Sequence, residues 1–427
     1  MTDNNENKVL NVPHLRFPEF TGEWKETTLG KIGGTFNGLT GKSGSDFGQG
    51  CPYITYKSIF DNSRVDINRV DYVTISDEER RKESQNKVLY GDIFFTTSSE
   101  TPDEVGMTSV LLDKIEDCYL NSFCFGYRLF CQENYLPEYL RFYFRSRVIR
   151  RKLSILAQGS TRFNISKKEV MRLGVKVPNS TEQRKIANFL TLLDERIATQ
   201  NKIIEDLKKL KSAIIDEVFC SPEQHEPKRR FEGCSVPLST YKMKDFCFRI
   251  TDKNRDNKCL QVLTIAAQYG LVDQESFFNK SVASENLTGY YILKKGDFAY
   301  NRSYSSGYAW GTVKRLNNYS KGVLSTLYIC FRVDESVVNS DYLSYYFEST
   351  KWHKGVSDIS GEGARNHGLL NISVTDYFNT KHHFAVIAEQ KRIASMLNAI
   401  TIKEQNAIEL GKLYSKHKQY LLRQMFI

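Results

Sequence analysis

TEQRKIANFLTLLDERIATQNKIIEDLKKLKSAIIDEVF, Thr181 to Phe219, carries apolar residues in alternating steps of four and three: Ile186, Leu190, Leu193, Ile197, then Ile204, Leu207, Ile214 and Val218. Gln200 and Lys211 fill the two remaining positions of the stripe. A repeat of this kind over more than four heptads, with no Gly or Pro inside it, predicts one long helix whose stripe must be covered by a partner helix. Pro178 ends what precedes it, and Ser180 with Gln183 has the spacing of a capping box.

Working outward from this helix, the chain repeats itself. Glu182-Gln183-Arg184-Lys185-Ile186-Ala187 returns 207 residues later as Glu389-Gln390-Lys391-Arg392-Ile393-Ala394, and Phe219 and Phe426 keep the same separation. Gly91-Asp92 matches Gly296-Asp297, Asn164-Ile165-Ser166 matches Asn371-Ile372-Ser373, and Tyr139-Leu140 with Tyr143-Phe144 matches Tyr342-Leu343 with Tyr346-Phe347. Arg16-Phe17 has its counterpart in Arg230-Phe231. The second stripe runs Ile393, Leu397, Ile400, Ala407, Leu410, Tyr414, His417, Leu421. It is poorer: Glu404 stands in it, its phase slips near Ala407, and Gly411 costs about 1 kcal/mol inside a helix. Two equal helices, each following a globular unit, pair most simply antiparallel, with the globular units at opposite ends.

The predicted fold class is therefore an α/β (α+β) tandem repeat, two globular domains separated by two long antiparallel coiled-coil helices. The boundaries are 1–180, 181–220, 221–387 (opening on the linker CSPEQHEPKRRFEG) and 388–427. Short β-rich runs at 53–56, 72–75, 93–96 and 123–130 fill the first unit. Ser76 with Glu79 opens a short helix, PEYLRFYFRSRVIRRKLSIL from Pro137 a longer one, and Ser166 with Glu169 a third.

The chain has 427 residues and a net charge of +10, with 60 Lys and Arg against 50 Asp and Glu. That balance suits an acidic partner, nucleic acid first. MTDNNENKVL has no apolar core of a signal peptide, and no run reaches the roughly 18 apolar residues of a membrane span. Nine cysteines with no CxxC spacing predict free thiols in a reducing cytoplasm.

Catalytic patterns fail on their spacing. Gly41-Lys42-Ser43 lacks the upstream glycine of a phosphate loop, since Phe36 stands there. No Pro-Pro pair provides the loop of adenine-N6 methyltransferases, and no GxGxxG provides a cofactor turn. Pro102-Asp103 is not followed by the remaining carboxylate and lysine of a nuclease motif. His382-His383 has no third ligand nearby. Neither a catalytic set nor a metal set is expected.

Binding features are present instead. Residues 141–172 hold ten basic side chains, among them Arg150 and Arg151, against the single acid Glu169. Aromatic residues interleave them, a pattern that suits a phosphate backbone. The stretch 344–375 is neutral. Two loops per unit carry groups able to read base edges. One is Gly159 to Asn164, with Arg162 and Asn164, whose counterpart is Gly363 to Gly368, with Arg365 and Asn366. The other is Thr96 to Thr101, with Ser98, Ser99 and Glu100, whose counterpart is Asn301 to Ser306, with Asn301, Arg302 and Tyr304. Lys42 completes the candidate DNA contacts. The helix-pair seam is assigned to Ile186, Leu190, Leu193, Ile197, Ile204 and Leu207 against Ile393, Leu397, Ile400 and Leu410.

In combination, the opening LRFPEFTGEWKETTLGKIG, the Gly-Asp strands, the EQ(R/K)(K/R)IA helix starts, TSSETPDEVG, YNRSYSSGY and the C-terminal YLLRQMFI resemble the specificity subunit of a type I restriction–modification system over the whole length. The resemblance implies two target-recognition domains, each reading half of a split double-stranded DNA target, and no active site or cofactor in this chain. It implies two modification subunits that bring S-adenosylmethionine, and restriction subunits that use ATP and Mg2+. The competing expectations are a stand-alone modifying or restriction enzyme, and a coiled-coil adaptor. On this reading the helix is a ruler: about 38 residues at about 1.5 Å each span about 57 Å, or about 17 base pairs at about 3.4 Å each. Inserting four residues after Lys202 should lengthen the unread spacer by about two base pairs on the same rises. An unchanged spacer in a methylation map would sink that expectation.

Overall fold

The computed structural model describes residues 11–279, 286–304, 307–360 and 369–427. They form two compact units, one of residues up to Gln200 with Leu410–Ile427, the other Asn201–Glu409.

The first unit is built on a four-stranded antiparallel sheet in the order Gly33–Asn37, Cys124–Leu129, Ile93–Thr96, Thr108–Val110. One face buries Ile93, Phe95, Phe125 and Tyr127 against Phe144 and Leu153. The other buries Phe94 and Cys124 with Ile54 and Leu120. Burial on both faces explains why the strand reads IFFT, an unbroken apolar run rather than an alternating one. A three-stranded sheet of Asp71–Val73, Phe47–Ile54 and Tyr119–Leu120 accompanies it. The second unit repeats the main sheet, in the same order and sense, with Cys247–Arg249, Ile329–Val333, Phe298–Asn301 and Thr312–Arg315.

The repeated motifs are structural devices. Gly91 and Gly296 turn with φ of +85° and +96°, a region that favours glycine. The aspartate that follows caps the turn and straps the neighbouring strand. Asp92 accepts from Leu89 N at 2.7 Å and grips the Arg128 guanidinium at 2.8 and 2.7 Å. Asp297 accepts from Lys294 N at 2.6 Å and grips Arg332 at 2.7 and 2.8 Å. Burial pushes the Asp92 carboxyl above its usual range, and the bonds from Arg128 oppose that push.

The Glu-Gln pair at each long-helix start is a lock. Buried Glu182 accepts from Arg16 at 2.8 and 2.7 Å and from the Trp24 indole at 3.3 Å. Gln183 accepts from Leu136 N and donates to the carbonyls of Asn134 and Pro178. In the second unit Glu389 holds Arg230, while Gln390 accepts from Asn339 N and donates to the carbonyls of Val337 and Ala385. Gln183 is thus not the partner of a capping box at Ser180; Asn179 caps the helix by accepting from Glu182 N at 2.9 Å.

The two arms are the helices Ser180–Val218 and Ile387–Gln424. Within the first unit they run antiparallel: Lys418 pairs with Asp194, Tyr414 receives Arg196 at 3.1 Å, and Ile186 and Leu190 share a core with Leu421, Met425 and Phe426. Within the second, Lys211 meets Glu404 at 2.9 Å, and Ile215 and Val218 share a core with Ile393 and Leu397. The seam differs from expectation at Leu410, which is exposed, whereas Gly411 is buried. The four-and-three rhythm runs through Glu404, Ala407, Gly411, Tyr414, Lys418 and Leu421, so the backbone keeps its phase and the apolar Leu410 falls outside it. The predicted helix from Pro137 is two, Pro137–Tyr143 and Arg147–Ile155, because Ser146 caps the second through Ile149 N. Among the described residues no helix is long and apolar enough to cross a membrane.

Candidate nucleic-acid interface

The two candidate loops of the first unit meet. Ser98–Ser99 pairs antiparallel with Phe163–Asn164, Ser98 opposite Asn164. Ile165 N donates to Thr97 O at 2.9 Å, and Gln158 and Asn164 exchange backbone bonds at 2.9 and 2.8 Å. Gly159, with φ of +136°, lets the second loop fold back, since a Cβ there would lie 2.2 Å from the Arg162 carbonyl. Ser98 and Ser99 are buried; Ser99 Oγ donates to Glu104 at 3.1 Å. Glu100, Arg162 and Asn164 are exposed. Beside the ladder lies a cleft of about 740 Å³ lined by Tyr56, Phe60, Ser98, Glu100, Thr161 and Arg162.

Tyr56 and Phe60 were not apparent from the motifs. They are four residues apart on the helix Tyr56–Asp61, their rings stack at 5.9 Å, and the Tyr56 hydroxyl donates to Ser98 O at 2.6 Å. The available signal was the aromatic pair at helical spacing after Thr55, which caps through Ser58 N. Burial raises the Tyr56 phenol above its ordinary value, so it keeps its proton and remains a donor. An aromatic wall, hydroxyl groups, an exposed guanidinium and an exposed amide suit base edges rather than bond-making chemistry.

The basic run divides sharply. Arg145 donates to the carbonyls of Ile59, Phe60, Asn62 and Thr108. Arg150 donates to those of Asp103, Val105 and Gly106 at 2.6 to 2.7 Å. Burial holds both guanidinium groups down to about 10, still charged at neutral pH. Arg141 pairs with Asp194, Lys152 donates to Gly174 O, Lys167 to Asn37, and Arg172 pairs with Glu169. Arg147, Arg151, Arg162 and Lys168 remain exposed and make no ion pair among the described residues. Arg150 is therefore a strut for the 103–106 turn and not a free cation. Lys42 is also engaged: it pairs with Glu79 at 2.6 Å and draws that carboxylate down to about 2. Ser43, beside it, caps a short turn through Asp46.

The second unit has the same loop junction. Ser303 bridges Leu369 as Ser98 pairs Asn164, and Leu370 N donates to Arg302 O as Ile165 N does to Thr97 O. The strand counterpart of Asn164 is thus Leu369, while the sequence match to Asn371 follows the helix caps Ser166 and Ser373. Arg302 donates to Ile372 O at 3.0 Å and Leu327 O at 3.1 Å, and its Nε is buried without a partner among the described residues. Asn301 accepts from Ser303 N, and Tyr304 is partly exposed. Arg365 and Asn366 lie outside the described residues. Buried His382 bridges Tyr346 and Thr380, and burial lowers it to about 3, so the His-His pair is a core feature on its inner member.

Residues 21–209 match the family model described as the type I restriction modification DNA specificity domain. A curated relative, the putative type I restriction enzyme MjaX specificity subunit of Methanocaldococcus jannaschii, is 27% identical over 204 residues, 47% of this chain and 46% of its own length. The match thus spans about half of that relative. The likeness in fold extends further. A crystal structure of the type I restriction–modification S subunit from M. genitalium aligns over 97% of this chain and 99% of its own, at 13% identity and a TM-score of 0.57. A structure titled for complex assembly and conformational transition of the type I R-M system aligns over 96% and 98%, at 15% identity and a TM-score of 0.53. The likeness in fold therefore takes in the second unit as well, beyond the residues that the family model matches.

Proposed function

We propose that the chain is the DNA sequence-specificity subunit of a type I restriction–modification complex and has no active site of its own. Each unit reads one half of a bipartite double-stranded target. Two modification subunits, carrying S-adenosylmethionine, methylate adenine at the position the chain selects, and restriction subunits use ATP and Mg2+ to cut. The nine free cysteines suit a cytoplasmic setting. The observation that carries the reading is the recurrence, in both units, of an antiparallel bridge from the first loop, Ser98 to Asn164 in one and Ser303 to Leu369 in the other.

The test is a map of methylated adenines in cells carrying this chain with its modification subunits, before and after residues 11–179 are exchanged for those of a related chain. One half-site should change and the other stay. Methylation that persists without this chain, or a simultaneous change of both halves, overturns the reading. Labelled methyl transfer by the purified chain alone would favour the enzyme alternative.

A further inference from the structure

We infer that Phe123 and Leu327 are base-contacting residues, one in each unit, adding an apolar contact to the readout of each half-site. The inference rests on the DNA-reading role proposed above. Both side chains are large, apolar and more than half exposed, at 58% and 61%. Exposure of one such residue is ordinary. Phe130, at 71%, is an instance, and the strand register places an acid, Asp334, at its equivalent position.

Phe123 and Leu327 differ in that position and exposure recur together. Tyr127 pairs with Ile93 and Phe331 with Phe298, so each lies four residues ahead of an equivalent strand position. Each stands in a turn closed by the residue two before it. Asn121 Oδ1 accepts from Phe123 N at 2.8 Å and Asn121 O from Cys124 N at 3.0 Å. Ser325 Oγ accepts from Leu327 N at 3.3 Å and Ser325 O from Tyr328 N at 3.2 Å.

The carbonyl of each exposed residue is tied to the first recognition loop. Thr97 donates to Phe123 O from its N at 3.0 Å and its Oγ1 at 2.8 Å. Arg302, the counterpart of Thr97, donates to Leu327 O at 3.1 Å. The carbonyls of Thr97 and Arg302 in turn accept from the equivalent residues Ile165 N and Leu370 N, each at 2.9 Å. Apolar residue, first loop and Ile165 or Leu370 are linked in that order in both units, although the turn reads Asn-Ser-Phe-Cys in one and Ser-Thr-Leu-Tyr in the other. A pinned turn loses little freedom on binding. A large apolar side chain beside hydrogen-bonding loops fits a thymine methyl or a base face. The exposed cation Arg162 on the adjoining loop favours DNA over an apolar protein surface as the occupant.

The experiment uses the chain assembled with its modification subunits and duplexes carrying the mapped target, or that target with one half-site scrambled. Phe123→Ala should weaken binding to the intact target at least tenfold, leave binding to the duplex scrambled in the first half-site unchanged, and preserve the thermal transition. Leu327→Ala should do the same for the second half-site. Phe123→Leu should keep most of the affinity. Unaltered binding by Phe123→Ala, equal loss on every duplex, or failure of the variant to assemble with the modification subunits would overturn the inference, the last by making the residue a protein contact. A wild-type complex with no preference for the mapped target would overturn the proposed function instead.

Discussion

Arg16→Ala will lower the stability of the first unit by about 3–5 kcal/mol, because it strands a buried carboxylate. Glu182 has no solvent exposure, and Arg16 supplies two of its three side-chain donors. The remaining indole bond from Trp24, at 3.3 Å, is long and neutral. Exposed pairs such as Lys57–Asp61, with side chains 85% and 45% exposed, are screened by water, and Lys57→Ala will show little. Trp24 reports directly: urea unfolding followed by its fluorescence should move to lower denaturant in Arg16→Ala. Arg230→Ala should instead move the signal of Trp310 and Trp352, because it strands Glu389. A shift below about 1 kcal/mol, the size of a surface pair, would show that the lock is dispensable.

The same lock shows what was legible in the sequence. The arms were, because a heptad stripe is local and long. So was the tandem repeat, because two copies of Arg-Phe, Gly-Asp and Glu-Gln identify one another without any knowledge of their partners. What those residues touch was not legible: Glu182 reads as a helix start, yet its energetic partner stands 166 residues earlier. Strand pairing was equally hidden, since IFFT is buried on both faces and carries no period. Leu410 was misplaced because hydrophobicity was followed where backbone phase rules, and the seam accepts Gly411 instead. The basic run misleads for a related reason. A count of charges cannot distinguish a guanidinium facing water from one facing three carbonyls, and the second is common where loops leave carbonyls without partners.

That distinction sets the second large effect. Arg162→Ala will weaken binding to the first half-site by about 1–3 kcal/mol and relax its sequence preference, as loss of a base-edge contact does. Its guanidinium is exposed at the rim of the cleft and makes no ion pair among the described residues, so no folding penalty should accompany the loss. Arg151→Ala, exposed on the helix Arg147–Ile155, will instead weaken binding about equally on all sequences and reduce the salt slope by about 1, the behaviour of a phosphate contact. Arg150→Ala will look severe in any DNA assay for another reason. Removing its fork leaves the carbonyls of Asp103, Val105 and Gly106 without their donor and loosens the turn that follows Ser98–Ser99. Its thermal transition should fall, and the loss of binding should follow the loss of fold. The three neighbours thus separate by pairing each affinity with a melting curve and a salt series. Arg162→Ala with unchanged sequence preference, or Arg150→Ala with an unchanged melt, would reverse the assignment of strut and reader.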